Sequence, residues 1–261
     1  MVLAAALAAG ALPARTAPLE GQPSGDSPSA RTLADSLGRA VTEAALRGET
    51  GRLKMLAAVA EEARAMHPDD PWLRHYLGYA LYRLGTAQME RGPEAADATL
   101  TRAQQLLEAS AREDSVPESF ALAALTAGMR IAAEPRRRAR TLGPKIGRHF
   151  RAAEAAGPDN PRVWLLRGVN AFHSPAVHGG GARRARRFLR KSLSLFGRDG
   201  GDPGSPGWGR AEAHAWLGQV HARAGDHRAA RAEFRKALEI APGYAWVEEE
   251  LLPDVAGDGE G

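Results

Sequence analysis

Small and apolar side chains recur at helical spacing in residues 211–242. The recurring positions are Leu217, Gly218, Ala230, Phe234 and Ala237. Gly218 and Ala230 are small where two antiparallel helices must approach closely, whereas Phe234 is large enough to fill the space between neighbouring pairs. Pro242 predicts the end of the second helix, because a proline cannot continue the hydrogen-bond ladder. The segment is therefore predicted to be a helix–turn–helix unit that buries its apolar face against neighbouring units.

Four further segments repeat this pattern less completely. Residues 71–108 contain the pair Leu77 and Gly78, whereas the first helix predicted within 118–158 lacks such a pair. The endings HPDDP, GPDNP and IAPGY each combine a helix stop with a capping residue or a turn for the next helix. The predicted helix pairs are residues 31–68, 71–108, 118–158, 161–197 and 211–242.

The pattern as a whole predicts an all-α chain in which helix pairs stack as an α-solenoid over residues 31–253. A final amphipathic segment, 244–252, is predicted to be a helix that caps the last pair. Residues 254–261 are predicted to form a disordered tail. The alternative is an irregular helical bundle that contains one such helix pair.

The spacing within residues 211–242 resembles one tetratricopeptide repeat (TPR), a unit of about 34 residues that stacks into a superhelix. The resemblance implies a right-handed α-solenoid of about five TPR-like repeats. It also implies a scaffold that binds another molecule and catalyses no reaction.

A second resemblance covers residues 159–243. It is carried by the run NPRVWLLRGVNAFHSP, by the three glycines that follow it, and by a Gly/Pro linker that ends in GWG. These features are similar to those of a group of exported bacterial TPR proteins in which a Gly-rich turn interrupts the penultimate repeat. The group implies this architecture and export. His178 departs from the group, where an aromatic residue is expected before the glycines.

The first 30 residues have a composition unlike the rest of the chain. An apolar run from Val2 to Leu12 is followed by a stretch rich in Pro, Gly and Ser. This order resembles a secretory signal and a linker, although no Lys or Arg precedes the apolar run. A periplasmic or secreted location is therefore expected. The alternative is a cytoplasmic protein with a disordered, Ala-rich leader.

The resemblance to TPR proteins implies that the first helix of each repeat lines a concave groove. Trp, Tyr and Arg supply much of the binding energy at interfaces, so a protein or peptide with some acidic character is the expected partner. The predicted groove residues are Trp72, His75, Tyr79, Tyr82, Arg83, Arg162, Phe172, His173, Gln219 and Arg223.

The insertion within the fourth repeat offers a further candidate site. Gly179, Gly180 and Gly181 precede the basic residues Arg183 and Arg184 at the start of a predicted helix. A Gly-rich turn at a helix N-terminus can hold an anion, although a plain structural turn is the favoured explanation of the glycines.

Two alternative functions remain open from the sequence. The Arg runs within 136–140 and 183–187 could bind nucleic acid or an anionic surface, although they lack interleaved aromatic residues and nucleic acid is not the expected partner. The helices could also enclose a chamber for a small apolar ligand.

Composition excludes several kinds of chemistry. The 261 residues are 44% hydrophobic and 25% charged, with a net charge of +4, which is typical of a soluble globular protein. The absence of Cys excludes disulfides, thiolate nucleophiles and zinc ribbons. No catalytic serine motif or carboxylate pair is recognisable, and His214 and His221 are expected to pack between repeats. The sequence therefore predicts no enzyme activity, cofactor or metal.

Overall fold

The computed structural model describes residues 29–198 and 207–255, which are helical and contain no strand. The predicted leader up to residue 28 and the tail from residue 256 lie outside the described residues. The helices are α1 Ala30–Leu46, α2 Thr50–Met66, α3 Pro71–Met89, α4 Pro93–Glu113, α5 Pro117–Ala133, α6 Pro135–Ala156, α7 Pro161–His173, α8 Ala182–Phe196, α9 Arg210–Arg223 and α10 His227–Ile240.

Local capping explains where many of these helices begin. A proline occupies the first turn of α3 to α7, where its missing N–H has no intrahelical partner to lose. The Asp70 carboxylate accepts hydrogen bonds of 2.9 Å from the backbone N–H groups of Trp72 and Leu73 at the start of α3. Asn160 and Asp226 cap α7 and α10 in the same way.

The helices pack as five successive pairs, α1 with α2 through to α9 with α10. The first helices of adjacent pairs also contact each other, from α1 and α3 to α7 and α9. This is the architecture of an α-solenoid, in which each repeat buries its apolar face on its neighbours. The predicted all-α solenoid is confirmed for the described residues.

The predicted C-terminal cap is helical but differs in detail from the prediction. Trp246–Leu251 forms a π-helix, and Leu252–Asp254 continues it as a short α-helical turn. Val247 and Leu251 are buried against the last helix pair.

Small residues let the two helices of a repeat approach each other. A Cβ atom added to Gly218 would lie 2.3 Å from the ring of Phe234, which is fully buried. In the second repeat, a Cβ on Gly78 would lie 2.8 Å from Leu107. These distances are too short for any side chain, so the helix separation depends on glycine at both positions.

The last repeat also contacts the first two repeats. The ring of Tyr79 in α3 stacks on Trp208, which precedes α9, with 5.0 Å between ring centroids. Leu46 at the end of α1 packs against the apolar cluster of the last repeat and the cap. The solenoid therefore curls until its ends meet, and part of its inner surface is filled by its own side chains.

Candidate functional site

A cavity of about 1280 Å³ remains on the inner side of the solenoid. Its walls are the C-terminal ends of α3, α5 and α7, parts of α6 and α8, the turn 174–179 and Trp216 of α9. The cavity reaches solvent beside the turn, where His173, His178 and Arg184 are exposed.

The deeper wall of the cavity is apolar. It includes Met89, Leu125, Met129, Ile146 and Phe150. Methionine side chains are flexible and polarisable, so this wall can adapt to ligands of different shape. Sequence reasoning missed these residues, because it assigned the inner surface to selected positions of the first helices and left out α6.

A group of arginines borders the cavity near α7 and α8. Arg167 places its guanidinium between two rings, with its Cζ 5.0 Å from the centroid of Phe150 and 5.4 Å from that of Phe188. Its Nε lies 2.9 Å from the Glu154 carboxylate. The Cζ of Arg187 also lies over the Phe188 ring, 5.0 Å from its centroid. The aromatic contacts hold both guanidiniums at the cavity wall.

The environment of Arg167 is positively charged. Burial lowers the pKa of Arg167, and the nearby charges of Arg151, Arg184 and Arg187 lower it further, against the opposing effect of Glu154. Burial is the largest cause of the lowered pKa, and the three neighbouring guanidiniums act in the same direction.

An aromatic cluster forms the wall on the side of the last repeat. His173 and Trp216 make an edge contact with 5.2 Å between ring centroids. Arg223 lies 3.8 Å above the centroid of Phe172 and donates a 3.0 Å hydrogen bond to its carbonyl oxygen. Desolvation, followed by the charge of Arg223, lowers the pKa of His173. This cluster joins the fourth repeat to the fifth.

Of the predicted groove residues, Tyr82 and His173 line the cavity. Phe172 is buried, and Arg223 covers its ring. Gln219 is half-buried on α9 and does not line the cavity.

Three further groove residues belong to an aromatic column that closes the centre of the inner surface. Trp72 contacts His75 edge-on, and His75 stacks on Tyr79 with 6.4 Å between ring centroids. Tyr79 in turn stacks on Trp208. His75 and Tyr79 are fully buried, so a partner could contact them only if this column opened.

The two remaining groove residues, Arg83 and Arg162, are also engaged within the protein. Arg83 donates a 2.6 Å hydrogen bond to the carboxylate of Glu212 in α9. Arg162 is buried with its guanidinium 5.4 Å from the centroid of Phe196 and 5.8 Å from that of Trp208. Partner contact through these groove positions stays a prediction.

His75 is a buried titratable group of this column whose pKa is strongly lowered. Its Nδ1 lies 2.8 Å from the Ser119 hydroxyl, which lies 2.9 Å from that of Ser110. Burial, followed by the charge of Arg162, lowers the pKa of His75 to about 3. The imidazole is therefore neutral at physiological pH.

The Gly-rich insertion forms a tight turn after α7. A 3₁₀-helix, Ala176–His178, is followed by Gly179 with a φ of 85°. A Cβ on Gly180 would lie 1.9 Å from the Ser174 carbonyl oxygen, and Gly181 donates a 2.8 Å hydrogen bond to the Ala171 carbonyl. The glycines are thus explained by the turn itself, and anion binding at this turn stays a prediction.

The two Arg runs differ in their surroundings. Arg138 pairs with Asp97 at 2.5 Å and with Glu134 at 2.8 Å, whereas Arg136 is exposed. In the second run, Arg183 is exposed at the start of α8, and Arg184 and Arg187 border the cavity.

The remaining histidines of interest form pairs with carboxylates. His214 lies 2.6 Å from Glu233, and His221 lies 3.6 Å from Asp226. Over residues 29–198 and 207–255, no three His, Cys, Asp or Glu side chains are grouped as a metal site requires. None of the helices in this part of the chain has the length and apolarity to cross a membrane.

Paired helices around a curved inner surface define the class of helical-repeat solenoids. The tetratricopeptide repeat family model matches residues 211–244. Residues 211–244 therefore match a tetratricopeptide repeat, and the fold of the described residues is similar to that of a solved TPR protein.

Two solved structures resemble the whole solenoid. The HusA haemophore from Porphyromonas gingivalis is 27% identical with a TM-score of 0.52, and the match covers 73% of this chain and 93% of that chain. A thermophilic TPR protein from Thermus thermophilus is 20% identical with a TM-score of 0.55, and the match covers 84% of this chain and 98% of that chain. The second likeness concerns the fold alone. A search of curated proteins found no match.

Proposed function

We propose that the protein is a non-catalytic scaffold that binds a segment of a partner protein in the cavity of the solenoid. The TPR fold is typical of protein-interaction scaffolds. The observation that carries the proposal is the cavity of about 1280 Å³, which is formed by successive repeats. This volume exceeds the roughly 300–1,000 Å³ of ordinary small-molecule pockets and suits a peptide segment.

The chemistry of the wall supports this type of ligand. Apolar side chains of a partner can pack on Leu125, Met129 and Phe150, while Tyr82 and Trp216 offer aromatic contacts. Such anchors, partly shielded from solvent, dominate the binding energy of protein interfaces.

Photo-crosslinking from inside the cavity tests the proposal. Benzoylphenylalanine placed at position 129 is expected to capture a distinct partner in native cells, whereas the same group at position 54 on the exposed face of α2 is not. The adducts are identified by mass spectrometry.

A cavity-filling variant provides the matched control. Gly143 lines the cavity, and no atom lies within 4 Å of a Cβ built on it, so Gly143→Phe is expected to block the cavity and abolish the adduct. Gly51 is also helical with no atom within 4 Å of its Cβ, but it lies on α2 outside the cavity. Gly51→Phe should keep the adduct. An adduct that survives Gly143→Phe would exclude the cavity as the binding site.

The likeness to a haemophore supports a second candidate, which is binding of an iron porphyrin in the same cavity. His173, His178, Met89 and Met129 line the cavity, and imidazole and thioether groups are common ligands of haem iron. Haemin titration should then give a shifted Soret band that His173→Ala or His178→Ala alters. His67 follows the C-terminal end of α2 and does not line the cavity, so His67→Ala should leave the band unchanged. An unchanged absorption spectrum of haemin in the presence of the wild type would exclude this candidate.

A further inference from the structure

Four guanidinium groups, those of Arg151, Arg167, Arg184 and Arg187, lie together beside the mouth of the cavity. Arg167, Arg184 and Arg187 line the cavity, and an Nη atom of Arg151 lies 3.5 Å from the position of a Cβ built on Gly147, which also lines it. Among the described residues, Glu154 is the one carboxylate paired with any of the four. We call these residues the arginine arc.

The arginine arc is held in place without using its hydrogen-bond donors fully. Arg167 and Arg187 lie against the rings of Phe150 and Phe188, a contact that engages the face of the guanidinium and leaves its edge N–H groups for an acceptor. Arg184 and Arg187 are three residues apart on α8, so they point to the same side of the helix. Both are exposed.

The apolar wall of the cavity adjoins the arginine arc. Phe150 lines the apolar wall and contacts Arg167 of the arc, and Ile146 lies one turn away from Phe150 on α6. A ligand that fills the cavity therefore meets an apolar surface and a row of positive charges within one binding site. Uniformly charged polymers such as nucleic acids match the charges but not the apolar wall.

We infer that the partner segment bound in this cavity is acidic, with its carboxylates on the arginine arc and its apolar side chains on the wall beside Phe150. This inference rests on the proposed function and names the chemistry of the partner. Arginine pairs with carboxylates through two parallel N–H···O bonds, which gives directional as well as electrostatic recognition. The recognition uses α7 and the second helices α6 and α8, and differs from the groove expected on the first helices.

A pair of synthetic probes tests the inference. One is a short fluorescent peptide of alternating Leu and Glu, and the other replaces each Glu with Gln. By fluorescence anisotropy, the full chain is expected to bind the Glu peptide at least about tenfold more tightly than the Gln peptide. This preference should weaken between about 0.1 M and about 1 M salt, because the Debye length falls from about 10 Å to about 3 Å.

Charge-removing variants locate the effect. Arg184→Gln with Arg187→Gln should abolish the preference for the Glu peptide. Arg228→Gln with Arg235→Gln removes the same charge from exposed positions of α10. This variant should retain the preference for the Glu peptide. All three proteins are first compared by circular dichroism and thermal unfolding, which should coincide because the replaced side chains are exposed.

Several outcomes would overturn the inference. Equal affinity for the two peptides, no binding of either peptide, or an unchanged preference in the Arg184/Arg187 variant would each do so. Binding of protoporphyrin IX that depends on Arg184 and Arg187, without binding of the Glu peptide, would assign the arc to a small acid instead. The proposed function would survive these results if the crosslink from position 129 still depended on an open cavity.

Discussion

At the scale of single residues, the fold depends on close contacts between small and large side chains. Gly218 and Phe234 show this most clearly, because the Phe ring occupies the space where a side chain at 218 would be. The contact fixes the distance between α9 and α10. Phe234 is also fully buried, so its area contributes to the stability of the last repeat.

We predict that Phe234→Ala lowers the free energy of unfolding by roughly 3–5 kcal/mol, because it leaves a cavity between α9 and α10. Urea denaturation followed by circular dichroism measures the change. Ile240→Ala is the control, since Ile240 is 40% exposed at the end of the same helix and should cost less than about 1 kcal/mol. A cost below about 1 kcal/mol for Phe234→Ala would contradict the packing described for this repeat.

His75 is a single residue that makes the free energy of unfolding depend on pH. Its pKa in the folded state is about 3, below the ordinary value of 6.5, so the unfolded chain binds the proton more readily. The contribution of the neutral ring is complete above pH 6.5 and is lost as the pH falls towards 3. The corresponding slope is at most about 1.4 kcal/mol per pH unit.

Comparison with His75→Asn isolates this effect, because Asn does not titrate and its amide can still bond to Ser119. The free energy of unfolding should decline more steeply for the wild type than for His75→Asn between pH 6.5 and pH 5. The lowered pKa of His173 acts on both proteins and cancels in the comparison. Parallel curves over this interval would show that His75 is not buried in neutral form.

At the scale of elements, helix boundaries follow from local chemistry. Asp70 at the start of α3 satisfies two backbone N–H groups that have no partner within the helix. The turn 174–181 also depends on local chemistry, because only glycine fits at position 180, where a Cβ atom would overlap the backbone of Ser174. Both features could be located from the sequence.

Asp70→Ala is expected to destabilise the protein by about 1 kcal/mol through loss of the helix cap. Thermal or urea unfolding measures this change. Asp69→Ala removes the same charge from the preceding exposed residue, which is not the capping residue, and it should fall within about 0.5 kcal/mol of the wild type. Equal effects of the two substitutions would indicate a general charge effect and contradict capping.

At the scale of the whole molecule, the ends of the solenoid meet. Arg83 and Glu212 are separated by 129 residues and joined by a 2.6 Å hydrogen bond. Their side chains are 18% and 7% exposed, so the ion pair is largely shielded from water. Together with the stack of Tyr79 on Trp208, it closes the centre of the inner surface and leaves the cavity to one side.

Arg83→Met is predicted to lower the free energy of unfolding by about 3–5 kcal/mol, because it leaves the Glu212 carboxylate buried without its partner. Adding Glu212→Leu should recover much of this loss, since a buried pair replaced by apolar residues is often nearly neutral. A double-mutant cycle from urea denaturation measures the coupling. Additive effects of the two substitutions would show that the ends of the solenoid do not meet through this pair.

The candidate site was only partly predictable from the sequence. Tyr82 and His173 line the cavity as residues of the first helices, and Arg184 was singled out with the Gly-rich turn. Arg167 and Phe150 were not predicted as site residues. The predicted positions followed from the TPR resemblance, which implies an open groove. In this chain the groove is partly filled, and its remaining space lies against α6 and α8.

The sequence by itself determined that the chain folds into helix pairs that stack as an α-solenoid. These depend on contacts between residues close in the chain, such as caps, small-residue positions and prolines, and such contacts leave a readable spacing. The tertiary structure alone decided which inner residues are buried and which border a cavity. That outcome depends on the curvature accumulated over five repeats, which brings Trp208 onto Tyr79 and Glu212 onto Arg83. No local sequence pattern indicates which residues of distant repeats meet when the solenoid curves back on itself.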